Sequence, residues 1–267
     1  MSDIDEILDR NGNVRRLGSL QPPPGMVSSF QTFEETHDVW DDDQIKQVIL
    51  DPNRTMSRRI FDSSWIQNQH SHGSCNGYAG AAALARARFL RGLRKVLLSG
   101  AYLYSKMNNG VDQGSVLEHG MRAMMKFGIC PETLVPWNFI YPNRQPADAD
   151  KVAAEVKGAL CYPVATQQGL KTALAKKFPC IVAVHAGNRY QTVDKNGICG
   201  ADNGPGNHAV CVDDLLWIGN DFAYDSPGSW GLTLGVDGRV ICRWASFEQT
   251  FGRHTFYAVP TTFDAEA

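Results

Sequence analysis

The stretch NQHSHGSCNGYAGAAALARA, Asn68 to Ala87, sets one cysteine between a Gly-Ser turn and an alanine-rich run. A cysteine in such a place is commonly a small apolar packing residue. It becomes a nucleophile when a lowered pKa, a base, an orienter for that base and donors for an oxyanion coincide. The chain offers a candidate for each. Cys75 falls in the first turn of an expected helix, where unpaired N–H groups and the macrodipole favour thiolate. His208 opens an expected strand directly after NGPGN, which would set its ring at the rim of a sheet. Asp225 closes the next strand ahead of SPGSWG, so a carboxylate and Trp230 come near that rim. Gln69, six residues before Cys75, can add its side-chain amide to the Cys75 N–H in holding an oxyanion.

Each candidate also has a plainer reading. His208 can be a structural histidine and Asp225 a turn residue ahead of SPG. His70, His72 and Cys75 together suggest a metal site, but no carboxylate or second cysteine stands near them in the sequence. His119, His185 and His254 read as ordinary core or surface histidines, and the six remaining cysteines as small apolar core residues.

These residues need elements to position them. Residues 1–60 read as an extension, with Pro22-Pro23-Pro24-Gly25 a stiff linker, an acidic run from Glu34 to Asp43 and a short helix over Asp43 to Leu50. Ser74 can cap a helix reaching about Arg94, with Tyr78, Ala81, Ala82, Ala85, Phe89 and Leu93 facing a core. Gly77, Gly80 and the alanines would let a neighbouring backbone approach closely. Ser99 can cap a second helix through Tyr102, Leu103 and Met107; a third spans Ser115 to Phe127 and stops at Gly128. GICPETLVPWNFIYP is a proline-broken loop, and Asp148 to Gly158 a short amphipathic helix. Beyond Cys161 a helix over Gln168 to Phe178 leads into strand candidates at 180–186, 208–218, 222–226, 239–244 and 254–260. The stretch 187–207 reads as loop, and WASFEQTF as a helical turn or two. A helical half, 61–160, thus precedes a β-rich half, 161–267, and two unlike lobes leave a groove between them.

Composition narrows the function classes. A net charge of −2 gives no electrostatic reason to expect nucleic acid or an anionic membrane as partner. Arg86, Arg88, Arg91, Arg94 and Lys95 are the one local cluster of positive charge and read as a solvated helix face. No apolar run nears the roughly 20 residues that span a bilayer, and the acidic, then basic N-terminus is unlike a secretory signal. Seven widely spaced cysteines without a CxxC pair argue against a zinc ribbon or a dense disulfide scaffold. Free thiols in a reducing, cytoplasmic compartment fit best.

QHSHGSC, HAV and DSPGSWG resemble the papain-like cysteine peptidase family, whose patterns are QGxCGSCW, HAV and NSWG. In that family His and Asn follow the cysteine by about 130–150 residues; here His208 and Asp225 lie 133 and 150 residues past Cys75. LLSGAYLY, DQGS and GICPETLVPW are similar to lesser motifs of the family, and the similarity covers about residues 61–260, in the manner of cytosolic microbial or viral branches. The resemblance implies an α+β, two-lobed fold: a helical lobe, a β-sheet or barrel lobe and an active-site cleft between them. It implies Cys75 as nucleophile, His208 as general base and then acid, Asp225 in the place usually held by Asn, and Gln69 in the oxyanion hole. Gly114 and Ser115 would line the substrate groove by main-chain contact, and Trp230 would shield a His208–Asp225 hydrogen bond. The substrate implied is a peptide or protein, with no cofactor and no metal.

Three departures stand out. His72 replaces the first cysteine of the motif, Asn76 replaces the aromatic residue after the nucleophile and makes one cleft wall more polar, and two extra residues separate Asp225-Ser226 from SWG. The expected activity is peptide hydrolysis through a Cys-His-Asp triad and a thioester. The alternatives are a papain-fold structural or binding component, for instance of a viral particle, and a transglutaminase-like acyltransferase. In this family an N-terminal pro-segment often lies backwards through the groove. Residues 1–60 are expected either to cover the cleft, by the PPPG linker or the residues after it, or to pack on the sheet lobe.

Overall fold

The computed structural model describes residues 5–26, 28–157, 161–200, 204–247 and 249–260. The region expected as a plain extension is folded. Strand β1 (Asp5–Leu8) pairs antiparallel with β2 (Val14–Leu17). Asp9 closes the hairpin by accepting from the Asn11 and Asn13 N–H groups, both at 2.9 Å. Helices α1 (Phe33–Thr36), α2 (Asp42–Ile49) and α3 (Ser57–Ile60) come next, the first two started by capping boxes at Thr32 and Asp41.

Helix α4 (Cys75–Leu90) is the spine of the helical half. The spacing predicts one core-facing stripe, but the helix is buried from Cys75 to Ala81 and again from Ala83 to Ala87. Small residues make this possible. A Cβ on Gly77 would lie 2.3 Å from the Gly100 carbonyl oxygen, and one on Gly100 would lie 2.5 Å from the Tyr78 ring. The glycines therefore let α5 (Gly100–Ser105) lie directly on α4. Ser99 caps α5 as expected, its hydroxyl accepting from the Tyr102 N–H at 2.9 Å. Helix α6 (Leu117–Phe127) ends at Gly128, whose φ of 76° is open to glycine. Helix α7 (Ala149–Ala154) is the expected amphipathic segment; residues 158–160 lie outside the described residues.

The second half alternates β3 (Tyr162–Val164), α8 (Gln167–Ala175), β4 (Cys180–Val184) and the short α9 (Asn188–Gln191). Then come β5 (His208–Val212), β6 (Asp214–Ile218), β7 (Asp221–Pro227), β8 (Arg239–Arg243) and β9 (Phe256–Ala258). Residues 201–203 of the expected loop and Glu248 of WASFEQTF lie outside the described residues, and Trp244–Phe247 forms a single 3₁₀ turn. The fold class is α+β. Two antiparallel sheets form, in the orders β3-β9-β4-β5 and β6-β7-β8, and among the described residues they do not close into a barrel. Among those residues no helix is long and apolar enough to cross a membrane.

The expected single strand 208–218 is two strands in two sheets, and the break falls at Asp213. Its carboxylate accepts from Arg86 Nε of α4 at 2.8 Å and is ion-paired with Arg239 of β8. Burial works to raise the Asp213 pKa, but Arg239 and Arg86 hold it below the ordinary carboxylate range. Arg86 is thus a fully buried strut between the halves, correcting its reading as part of a solvated face. Truncating one partner strands a buried charge, at a cost of about 3–5 kcal/mol. Asp213→Ala is expected to lose that much in urea unfolding; a loss under about 1 kcal/mol would mean that the network does not bear on stability.

Candidate active site

Cys75 is the first residue of α4. Ser74 stands at the cap position, but its hydroxyl makes no capping hydrogen bond. The sulfur instead accepts from the Ala209 backbone N–H at 3.4 Å. Ala209 comes directly after His208 on β5, so the contact sets the nucleophile candidate against the start of the histidine strand.

Both candidates are sealed from solvent. Burial pushes the Cys75 thiol up to about 11, against the softening effect of the Ala209 and Gly18 N–H groups. Burial first, and the charge of Arg15 second, push His208 down to about 3. The pair is a thiol and a neutral imidazole here, the reverse of the thiolate that the helix N-terminus by itself predicts. Neither His208 ring nitrogen has a hydrogen-bond partner among the described residues. The ring lies against Trp230, with centroids 4.7 Å apart and planes 38° from parallel.

Asp225 is not brought to His208. Its carboxylate accepts from Arg58 Nε at 2.8 Å and from Arg239 Nε at 3.1 Å. The next residue, Ser226, faces the other way and bonds the Cys211 carbonyl at 2.7 Å. The expected orienting hydrogen bond, and with it the shielding role given to Trp230, is corrected accordingly. When NSWG is laid on Ser229-Trp230-Gly231, the Asn position falls on Gly228, which has no side chain.

Gln69 is fully buried below the sulfur's loop. Its Oε1 accepts from the Ser229 hydroxyl at 2.5 Å, which aims Nε2 at the His72 carbonyl at 2.7 Å and the Arg16 carbonyl at 3.4 Å. His72 does not stand alone in place of the missing cysteine. Its Nδ1 lies 3.3 Å from Asp112, which also accepts from the Gly73 N–H at 2.9 Å and the Tyr104 hydroxyl at 3.0 Å. Burial would raise the Asp112 pKa, yet the hydrogen bonds from His72, Tyr104 and Gly73 hold it low. A carboxylate hub ties the Cys75 loop to the Gly114–Ser115 wall. Asn76 corrects its reading as a polar cleft surface: it is buried and donates to the Ser115 hydroxyl at 3.0 Å and the Val116 carbonyl at 2.8 Å.

An N-terminal arm, Arg15 to Leu20, pairs with the Gly114–Ser115 wall. Ser115 donates to the Gly18 carbonyl at 2.8 Å and accepts from the Leu20 N–H at 3.1 Å, a parallel pairing centred on Ser19. The Ser19 N–H donates to the Asn207 carbonyl at 3.0 Å. Gly18 is required by space: a Cβ there would lie 1.9 Å from the Gly73 carbonyl oxygen. The buried Arg15 locks the arm down by donating to Asn68 at 2.9 Å, the His70 carbonyl at 3.2 Å and the Trp230 carbonyl at 3.3 Å. This segment precedes the PPPG linker and lies within the 1–60 extension that the sequence offers as a cleft-covering arm. No motif marks residues 15–20, because what Arg15 and Gly18 do depends on partners far along the chain. Asp112 alone has a visible place, directly before Gln113-Gly114-Ser115.

The profile of the papain family of cysteine proteases matches residues 54–238. The chain belongs to that family. Among solved structures, this papain-family chain is similar to xylellain, a cysteine protease from Xylella fastidiosa, at 18% identity and a TM-score of 0.66, covering 98% of this chain and 100% of xylellain. It is also similar to digestive procathepsin L 3 of Tenebrio molitor larval midgut, at 17% identity and a TM-score of 0.60 over 73% of this chain. The proform of the ragweed pollen allergen Amb a 11 cysteine protease aligns at 21% identity and a TM-score of 0.59, again over 73% of this chain. The chain spans 66% of procathepsin L 3 and 61% of the Amb a 11 proform. No curated protein sequence matches it.

The buried, neutral His208 has a measurable consequence. Below about 6.5 the unfolded chain binds a proton at this residue that the folded chain refuses until about pH 3. The stability owed to this group therefore falls as pH drops through that window. Replacing it with a side chain that does not titrate, His208→Gln, is expected to flatten the decline by about 1.4 kcal/mol per pH unit. Urea unfolding at pH 6, 5 and 4 checks this (values chosen to span the window, roughly, between the two states' pKa values); equal slopes in variant and wild type would contradict it.

Proposed function

We propose that the chain is a cysteine peptidase held latent by its own N-terminal arm. Cys75 is the nucleophile, His208 the base and then the acid, and Gln69 with the Cys75 N–H the oxyanion site. The Gly114–Ser115 wall aligns the peptide backbone, as the arm's pairing with Ser115 suggests. One observation carries the reading: an extended segment of main chain already pairs with the Ser115 wall and with Asn207, next to His208, using the Ser115 N–H and carbonyl and the Asn207 carbonyl.

With the arm displaced, water reaches both groups and the desolvation that keeps them neutral is lifted. The Cys75 proton passes to His208, and the thiolate attacks the carbonyl carbon of a peptide or protein substrate. The oxyanion accepts from Gln69 and the Cys75 N–H. His208 returns its proton to the amine as the C–N bond breaks. Water, deprotonated by His208, then opens the thioester to give the acid and the free thiol. Asp225 enters this reading as an ion-paired anchor of β7, and Trp230 as the wall that holds the ring.

A second reading has its own support: a papain fold kept for binding, with little turnover. The unpartnered His208 and the glycine at position 228 favour it. Displacing the arm separates the two. Gly18→Val cannot fit under the Gly73 carbonyl. Iodoacetamide labelling of Cys75 at pH 7 should rise about 10²-fold as its pKa returns toward the ordinary thiol value. A latent peptidase then hydrolyses a peptide library, and the Gly18→Val, Cys75→Ala double variant does not. Fast labelling without hydrolysis supports the binding reading, and unchanged labelling removes the arm's role.

A further inference from the structure

We propose that Cys199 and Cys242 form an intramolecular disulfide when the protein meets a peroxide. The two thiols are buried, and their sulfurs lie 2.7 Å apart. Backbone pairing brings them together. Ile198 and Ile241 form a parallel bridge, with the Cys199 N–H donating to the Ile241 carbonyl and the Ile241 N–H to the Gly197 carbonyl, both at 2.8 Å. In a parallel pair the next residue along each strand lies beside the other on the same face, which here means Cys199 and Cys242. Neighbouring strands sit about 4.8 Å apart, within the Cα separations of about 4.4–6.8 Å that a disulfide spans. The bond needs no backbone rearrangement.

The bond would act on the segment that leads to the site. Residues 197–199 lie along the edge of β8 that β7 leaves unpaired, held by these main-chain bonds. The same segment runs on to Asn207, whose carbonyl receives the arm at Ser19 and whose Oδ1 accepts from the Ala186 N–H at 2.8 Å. A covalent link across 43 positions of sequence removes unfolded-chain entropy and ties residues 197–199 to β8.

The chemistry balances with one peroxide. Cys199, the less buried of the two, loses its proton and attacks a peroxide oxygen. The O–O bond breaks, hydroxide leaves and takes up the proton as water, and a sulfenic acid remains. The Cys242 sulfur, deprotonated in turn, attacks the Cys199 sulfur, and the S–O bond breaks with loss of a second water. Two thiols are oxidised, and hydrogen peroxide is reduced to two waters.

The test uses the full chain and no activity assay. The protein is exposed to hydrogen peroxide, quenched, unfolded in iodoacetamide, digested and mapped by mass spectrometry. The expected product joins the Cys199 and Cys242 peptides, two hydrogens lighter than their sum, and dithiothreitol releases it. The oxidised protein melts several degrees above the reduced one, and Cys199→Ser and Cys242→Ser each abolish both the link and the shift. Iodoacetamide on both cysteines after peroxide, separate sulfinic or sulfonic acids at the two positions, or a link from Cys199 to another cysteine would overturn the proposal. A melting shift that survives in either serine variant would overturn the stapling role. If neither variant folds, the wild-type map alone decides.

Discussion

The Ala209 N–H resting on the Cys75 sulfur at 3.4 Å joins the two halves of the molecule at their chemical centre. That contact requires the start of α4 and the start of β5 to meet, and most of the interior serves the meeting. Gly77 and Gly100 let α5 press on α4 from one side. Arg86, reaching from the middle of α4 to Asp213 at the end of β5, spans the halves with a buried ion pair. A buried pair contributes little net stability against an apolar alternative, but it tolerates few geometries. The position of the sulfur relative to the sheet is defined by such directional bonds more than by the amount of apolar surface buried.

Burial turns the same contact off. A helix N-terminus and two N–H donors all favour a thiolate, yet desolvation outweighs them and leaves Cys75 protonated. His208 responds to the same loss of water by staying neutral, with Arg15 of the arm adding to the effect. The arm's reach depends on Gly18 having no side chain, since the Gly73 carbonyl occupies the space where one would go.

The site also replaces covalent devices with polar ones. Where the family motif has a cysteine, His72 and Asp112 make a hydrogen-bonded hub that includes Tyr104 and Gly73. Where the motif has an asparagine, Gly228 leaves His208 to be held by Trp230 and by its strand. Order along the chain assigns Asp225 to the ring, but strand alternation directs it to Arg58 and Arg239. A strand's two faces differ by one residue, so order along the chain does not say which way a given side chain points. Arg86 misleads in a similar way: a positive cluster predicts an exposed face unless an acid from a distant strand is there to meet it.

The motif resemblance was enough to read the family and the α+β class, and it named Cys75, His208, Gln69, Gly114 and Ser115 as the candidates that the proposed function uses. Those are local properties, legible along the chain without knowing what packs on what. Three features waited for the folded molecule: the arm before the proline linker pairs with Ser115, Asp112 completes the Cys75 loop, and burial keeps the thiol and the imidazole neutral. Each of these depends on backbone groups, on which face of a strand is presented, or on the exclusion of water. Such quantities come into existence only when distant segments are brought into contact.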